Sequence, residues 1–185
     1  MSGISQDIQD LSAETPSIWR VWDYQPGLPG LTFTAEEANS TVAMERPSTP
    51  SIPYVSLEYS TDGTTWQDFI VGTTTVTLPN VGDWMALRAK TTNTAFASTY
   101  YLTNNFILTG KIAASGSIMY LLKKDGDLDA IPSNYCFCGL FANCSSLTEA
   151  PELPATTLTQ GCYRSMFSRC TSLTKAPYLP ATTLA

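Results

Sequence analysis

The stretch at positions 144–185, "CSSLTEAPELPATTLTQGCYRSMFSRCTSLTKAPYLPATTLA", contains almost the same sequence twice. When residues 141–159 are aligned with residues 167–185, 13 of the 19 positions are identical, and every matched pair has the same spacing as Phe141 and Phe167. A fixed period of about 20–29 residues with regular leucines is typical of a solenoid, in which one unit stacks on the next. The repeat therefore predicts that each unit supplies the hydrophobic core of its neighbour.

The apolar residues of one unit indicate how it folds. Tyr163, Met166, Phe167 and Cys170 follow one another at intervals of three, one and three residues, which predicts a short helix with one apolar face. The prolines in residues 172–180 exclude the interior of a helix. Stacking then places leucine on leucine and cysteine on cysteine. The predicted repeat core contains Phe141, Cys144, Leu147, Leu153, Leu158, Cys162, Met166, Phe167, Cys170, Leu173, Leu179 and Leu184.

A few positions differ between the two units. Glu149 corresponds to Lys175, and Glu152 corresponds to Tyr178. In a solenoid, ligand specificity is set by exposed positions that vary from unit to unit, and these two pairs are examples of such positions. Two units do not define a consensus surface, and the sequence does not name the receptor.

All five cysteines lie in the last third of the chain, and their spacing follows the repeat: Cys136, Cys138, Cys144, Cys162 and Cys170. The sequence allows two interpretations, a disulfide framework or small apolar residues buried inside stacked turns. We expect a reduced, buried ladder, because assembly in a cytoplasm keeps thiols reduced.

Residues 31–120 have the pattern of a sheet. Strands are predicted in "LTFTAEE", "TTTVTLP", "DWMALRAKTT" and "YYLTNNFILTGKI". The segment "VSLEYSTDGTTWQDF" predicts a hairpin, with Asp62-Gly63 in the turn. Several short strands over this length indicate a small antiparallel β-sandwich of the immunoglobulin-like kind. The predicted fold class is therefore mainly β.

Residues 1–30 are rich in aromatic side chains and proline. Trp19, Trp22 and Tyr24 lie close to three prolines, which favour an extended backbone. An extended segment with three large rings suits the groove of another protein, and we predict that these residues anchor the chain. The alternative, equally open, is that the rings cover the chain's own next domain.

The composition excludes several function classes. With 10 Lys and Arg against 16 Asp and Glu, the net charge is −6, which argues against nucleic-acid binding. The chain has no histidine, which removes Ser-His and Cys-His nucleophiles and most zinc sites. No apolar run approaches the roughly 20 residues that cross a membrane. We therefore predict no enzyme activity, no cofactor, no metal and no membrane insertion.

The best candidate for a metal site is "DGDLD", in which Asp125, Asp127 and Asp129 alternate. The calcium loop of an EF-hand needs glycine at its sixth position and glutamate at its twelfth, and this segment has neither. A solvated turn ahead of the repeats is the interpretation we favour.

The repeat motif "C-Y-x-x-M-F-x-x-C-T-S-L-T-x-A-P-x-L-P-A-T-T-L" resembles the BspA-type leucine-rich repeats found on surface proteins of gut and oral Bacteroidetes and of some protozoa. The preceding "NNFILTGKIAASGSIMYLL" and the hairpin "LEYSTDGTTW" are similar to segments that accompany such repeats, so the resemblance covers residues 55–185. It implies binding to host or microbial surfaces, with no catalytic residues. Cys138 departs from the pattern, since Arg164 occupies the equivalent position, as expected for a variant first unit.

The predicted organisation is an anchor arm at residues 1–30, a β-sandwich platform at 31–120 and the first units of a longer 26-residue leucine-rich-repeat array at 121–185. The N-terminus has no basic and apolar pattern of an export signal, and the second unit has no polar cap. This layout resembles a fibre protein of a Bacteroidetes-infecting (crAss-like) bacteriophage. The alternative is an exported bacterial adhesin of the BspA type from which the leader has been removed.

The fibre interpretation implies a set of partners. These are capsid or tail proteins of the same virion, a host surface protein or glycan, and further copies of the chain in a homo-oligomer, with a trimer expected because fibres are commonly threefold. The expected location is the virion, and in the alternative it is the bacterial cell surface.

Overall fold

The computed structural model of the protein describes residues 30–49 and 51–184, and these residues are mainly β with no α-helix among them. A single turn of 3₁₀ helix covers Ile118–Leu121. The strands within the described residues are β1 Leu31–Ala35, β2 Ser40–Glu45, β3 Leu57–Ser60, β4 Gln67–Phe69, β5 Thr75–Leu78, β6 Trp84–Ala89, β7 Asn105–Thr109, β8 Ile112–Ser115, β9 Leu147–Glu149, β10 Thr157–Leu158 and β11 Thr183–Leu184.

Two sheets account for most of these strands. The larger has the order β4-β3-β6-β1-β8-β9, and the smaller has the order β5-β2-β7. Their pairs are antiparallel except for β8 with β9. Phe33 of β1 and Phe106 of β7 meet edge to face, with ring centroids 5.0 Å apart. Apolar side chains from the two sheets therefore share one core.

The predicted hairpin is confirmed, since β3 and β4 pair antiparallel on either side of Asp62. The Asp62 carboxylate accepts the backbone N–H groups of Thr64 and Thr65 at 2.8 and 2.7 Å. These bonds from Thr65 and Thr64 hold the pKa of Asp62 far below its usual range. Gly63 adopts a φ of 77°, a left-handed conformation that suits glycine.

Strand β2 was not predicted, although it is the central strand of the smaller sheet. Val42 and Met44 are buried and alternate with the half-buried Thr41 and Ala43, so the period of two is present. The flanking sequence is rich in Glu, Ala and Asn, which are depleted in strands. For this reason the alternation was not recognised as a strand.

A charged cluster ties the larger sheet to the segment that precedes the repeats. Arg88 of β6 donates to the carboxylate of Glu58 of β3 at 2.7 Å, and Lys124 approaches the same carboxylate at 2.9 Å. Burial alone would raise the pKa of Glu58, but hydrogen bonds from Lys124 and Arg88 lower it overall. The Arg88 guanidinium lies 3.4 Å from the centroid of the Trp66 ring.

The repeated segments 135–144 and 161–170 form a ribbon of consecutive turns instead of the predicted helix. Within each unit, every second residue donates its N–H to the carbonyl three residues earlier. Every fourth residue has a left-handed φ between 54° and 67°, which no α-helix contains. These residues are Tyr135, Gly139 and Asn143 in the first unit and Gly161, Ser165 and Arg169 in the second.

The remaining N–H groups of the first ribbon join it to the second, with donor–acceptor distances of 2.8–3.0 Å. The donors are Tyr135, Phe137, Gly139, Phe141 and Asn143, and the acceptors are, in the same order, the carbonyls of Gln160, Cys162, Arg164, Met166 and Ser168. Further along, β10 and β11 pair in parallel, with each residue opposite its own counterpart in the next repeat. The two units are therefore stacked in register, as the repeat predicts.

Two columns of aromatic rings continue this stack into the region that precedes the repeats. One runs from Phe106 through Phe141 to Phe167, with successive centroids 4.8 and 5.5 Å apart. The other runs from Phe96 through Phe137 to Tyr163, at 5.7 and 6.1 Å. The first ring of each column comes from outside the repeats, so the preceding region occupies the place of an earlier unit.

The predicted repeat core is found in most, but not all, of its positions. Phe167 and Leu173 are only partly buried, and Leu184 pairs with Leu158 between β11 and β10. The prediction for Leu179 is wrong, because its side chain is 48% exposed. The equivalent segment of the first unit, which contains Leu153, is backed by residues 116–118 through their hydrogen bonds to Glu152. The buried members are Phe141, Cys144, Leu147, Leu153, Leu158, Cys162, Met166 and Cys170.

Candidate ligand-binding groove

A groove of about 530 Å³ lies between equivalent segments of the two units. Its walls are two copies of Ala-Pro-x-Leu-Pro, at residues 150–154 and 176–180. The residues that line it are Glu149, Ala150, Pro151, Glu152, Leu153, Pro154, Lys175, Ala176, Pro177, Tyr178 and Pro180.

The groove exists because the two units are joined at their ends and not in the middle. The turn ribbons are hydrogen-bonded on one side of it, and on the other side the N–H of Thr182 donates to the carbonyl of Thr156 at 3.3 Å. Residues 149–154 and 175–180 make no backbone hydrogen bond to one another in the described structure. Proline lacks an N–H, so the four prolines of these segments cannot donate a backbone hydrogen bond across the gap.

The first wall is held from behind by the preceding region. Glu152 exchanges backbone hydrogen bonds with residues 116–118, donating to the carbonyl of Gly116 at 2.9 Å and accepting from Ile118 at 3.1 Å. Its side chain is exposed on the groove side. The backbone of this wall is therefore fixed while its carboxylate is free for a ligand.

Glu149, Glu152, Lys175 and Tyr178, the exposed variable positions named from the sequence, all line this one groove and are exposed. Glu149 and Glu152 belong to the first wall, and Lys175 and Tyr178 belong to the second. None of the three charged groups forms a salt bridge with another described residue. The Tyr178 side chain is 82% exposed and has no aromatic or cationic neighbour within the described chain.

The prolines of the walls are the part of the groove that sequence reasoning missed. It treated them only as breakers of a helix. The available signal was the recurrence of Ala-Pro-x-Leu-Pro at the spacing of the repeat, which places four prolines on facing segments. Whether facing segments touch or separate depends on the offset between units, and that offset is visible only in three dimensions.

The five cysteines are free and buried. Burial raises the pKa of Cys136 and of Cys144 to about 12, and it raises those of the other three thiols as well. Cys144 donates to the carbonyl of Phe106 at 3.2 Å, and Cys170 donates to that of Phe141 at 3.0 Å. Thiols of this kind remain protonated at neutral pH and do not act as nucleophiles.

The acidic segment "DGDLD" forms a turn stabilised from within. The carboxylate of Asp125 accepts the N–H of Asp127 at 3.0 Å and pairs with Lys123 at 3.1 Å. The carbonyl of Asp129 accepts the N–H of Thr156 at 2.9 Å. In the part of the chain that the structure describes, no group of three His, Cys, Asp or Glu residues is arranged to hold a metal ion.

The remaining predictions concern the anchor residues, membrane insertion and the family. The anchor residues Trp19, Trp22 and Tyr24 lie outside the described residues. Among the described residues no helix is long and apolar enough to cross a membrane. Comparison of the chain with protein-family models, with curated proteins and with solved structures finds no match.

Proposed function

We propose that the protein is a non-enzymatic adhesion protein that binds a surface ligand in the groove between its repeat units. The observation that carries this proposal is the distribution of identity and difference between the units. In the first unit, most of the apolar residues that recur in the second are buried, whereas Glu149, Glu152, Lys175 and Tyr178, which differ between the units, line one open groove. A constant scaffold with variable groove residues is the arrangement of a binding module.

The fold that accompanies this function is a small immunoglobulin-like β-sandwich followed by BspA-type leucine-rich repeats. The two sheets with a shared apolar core support the first part. The constant offset between stacked units supports the second. Tyr163, Ser165 and Phe167 of the second ribbon have backbone N–H groups with no partner among the described residues, unlike their counterparts in the first. This edge has the hydrogen-bonding capacity to take a further unit.

The assembly we propose is a phage fibre. Residues 1–30, with Trp19, Trp22 and Tyr24, anchor the chain to a capsid or tail protein, and the β region forms a trimeric platform. The repeats then face a host-cell or mucosal surface and bind a protein or glycan there. This part of the proposal is supported by the aromatic arm and by the resemblance of the layout to fibre proteins.

Deletion of residues 1–30 tests the anchor. We expect the shortened chain to keep its β-sheet circular dichroism spectrum and to be absent from purified particles, which mass spectrometry of those particles measures. A triple substitution of Trp19, Trp22 and Tyr24 by alanine is expected to act in the same way. Normal incorporation of either variant would show that the arm is not the anchor.

The second candidate is an exported bacterial surface adhesin, which the same groove supports equally. Mass spectrometry of host envelopes beside purified particles separates the two. Peptides of this chain in the particles support the fibre, and peptides only in the envelope support the bacterial adhesin. Adherence of the purified chain to host cells tests the adhesive function that both candidates share.

A further inference from the structure

Building on the proposed adhesive function, we propose that the groove binds a neutral, hydroxyl-rich glycan of two or three sugar rings. The groove's volume of about 530 Å³ is within the usual range for small-ligand sites. Its hydrogen-bonding character, its aromatic surface and its charge each favour this class of ligand.

The first wall of the groove offers carboxylate acceptors, and the second offers the side-chain donors of Lys175 and Tyr178. Four of the groove's eleven lining residues are prolines, which have no N–H, and the N–H of Glu152 is already bonded to Gly116. Glu149 and Glu152 offer carboxylate oxygens that only accept. A sugar hydroxyl both donates and accepts hydrogen bonds, so it can satisfy both walls. A peptide backbone also needs donors for its carbonyls, and here the side-chain donors are Lys175 and the Tyr178 hydroxyl.

Tyr178 supplies the apolar contact that a sugar needs. Its ring is exposed and unstacked on the second wall, opposite the carboxylates of the first. A pyranose ring has an apolar C–H face and a polar rim of hydroxyls. In this groove the C–H face packs on the tyrosine and on Pro177, and the rim reaches Glu149 and Glu152.

The charge of the groove selects against acidic ligands. It carries two carboxylates, those of Glu149 and Glu152, and one ammonium, that of Lys175. The whole chain has a net charge of −6. Sialylated or sulfated glycans would bring a further negative charge beside unpaired carboxylates, which costs binding free energy. A neutral glycan has no such cost.

The test uses the full chain on a glycan array that carries neutral, amino, sialylated and sulfated oligosaccharides, beside a proline-rich peptide and a lysine-rich peptide. The strongest neutral oligosaccharide is then titrated by calorimetry. We expect Tyr178→Ala to weaken its binding at least about tenfold, as loss of a central aromatic contact does. Tyr178→Phe keeps the ring and is expected to keep most of the affinity.

Tyr54→Ala is the matched control, because Tyr54 is 80% exposed and lies outside the groove, so its loss should leave the affinity unchanged. The double variant Glu149→Gln, Glu152→Gln introduces amide donors and is expected to weaken the binding of neutral glycans. Thermal unfolding of each variant confirms that it folds.

Three results would overturn the proposal: binding only to acidic glycans, binding only to a peptide, or a neutral glycan bound equally by Tyr178→Ala. Adherence to host cells distinguishes these from failure of the proposed function. If the chain adheres but binds no neutral glycan, the ligand class is wrong and the adhesive function stands. If the chain does not adhere, the adhesive function itself fails.

Discussion

The two repeat units have nearly the same sequence and very different surroundings. Leu153 of the first unit is 4% exposed, whereas its counterpart Leu179 is 48% exposed. The first unit is covered on one side by Phe96 and Phe106 and on the other by the second unit, while among the described residues the second unit has a neighbour on one side only. The comparison shows that burial in a repeat is set by the neighbouring unit and not by the local sequence.

The largest effect is expected from the phenylalanines of the first column. Phe141 is fully buried between Phe106 and Phe167, so Phe141→Ala should lower the free energy of unfolding by about 3–5 kcal/mol. Phe167→Ala should cost clearly less, because its ring is partly exposed and stacks on one side only. Urea unfolding followed by tryptophan fluorescence measures both, and equal losses would contradict the comparison.

The next effect concerns Leu153 and its counterpart Leu179. Leu153→Ala is expected to cost about 2–5 kcal/mol, because it empties a buried site. Leu179→Ala should change stability by less than about 0.5 kcal/mol, as exposed substitutions do. Urea unfolding followed by tryptophan fluorescence measures both changes in the free energy of unfolding. A large loss for Leu179→Ala would mean that a part of the protein outside the described residues covers this side chain.

The period and the alternation of apolar residues were enough to predict the main features of this fold. Thirteen identities at a constant offset indicated the stacking, and alternation indicated the hairpin of β3 and β4. The exposure of Glu149, Glu152, Lys175 and Tyr178 was expected from their variation between units, whereas their place around one groove was not.

The remaining features depend on information that a pattern does not contain. The apolar spacing of Tyr163, Met166 and Phe167 fits a helix, but left-handed residues at every fourth position turn the chain into a ribbon. Only Gly139 and Gly161 among these residues are glycines, so the sequence does not predict the left-handed conformation at the other positions. Phe96 and Phe106 lie outside the period, and their place at the head of the two columns depends on packing between distant segments.

The pH dependence of the free energy of unfolding offers a second way to compare the two units, through their buried cysteines. An unfolded thiol loses its proton above about pH 8.5, whereas Cys136 and Cys144 keep theirs up to a pKa of about 12. Between these values the unfolded state binds fewer protons, so stability falls as pH rises. The loss is about 1.4 kcal/mol per thiol at one pH unit above 8.5.

Two double variants, each with alanine in place of two cysteines of one unit, measure the contribution of each unit to this pH dependence. Burial raises the pKa values of Cys162 and Cys170 to a smaller extent. Replacing Cys136 and Cys144 by alanine should therefore flatten the fall of stability between pH 8 and pH 10 more than replacing Cys162 and Cys170 does. Urea unfolding across this pH range gives the slopes, and identical slopes for the two double variants would show that the thiols of both units are equally shielded.

The smallest effect is expected where the second unit departs from the first in its interior. Tyr163 stacks on Phe137, its counterpart in the first unit, with ring centroids 6.1 Å apart and planes inclined by 9°. Its hydroxyl is buried and has no hydrogen-bond partner among the described residues. A buried, unpaired hydroxyl costs desolvation free energy, so Tyr163→Phe should raise the free energy of unfolding by about 1 kcal/mol.

Tyr54→Phe is the control for this substitution, because it removes an exposed hydroxyl and should leave stability unchanged. If only Tyr163→Phe raises the free energy of unfolding, phenylalanine is accommodated at this position in the second unit as Phe137 is in the first. A loss would mean that the hydroxyl is bonded in solution to a group outside the described residues. The hydroxyl of Tyr163 would then make a contact that Phe137 cannot make in the first unit, and the two units would differ in their interiors as well as at the groove.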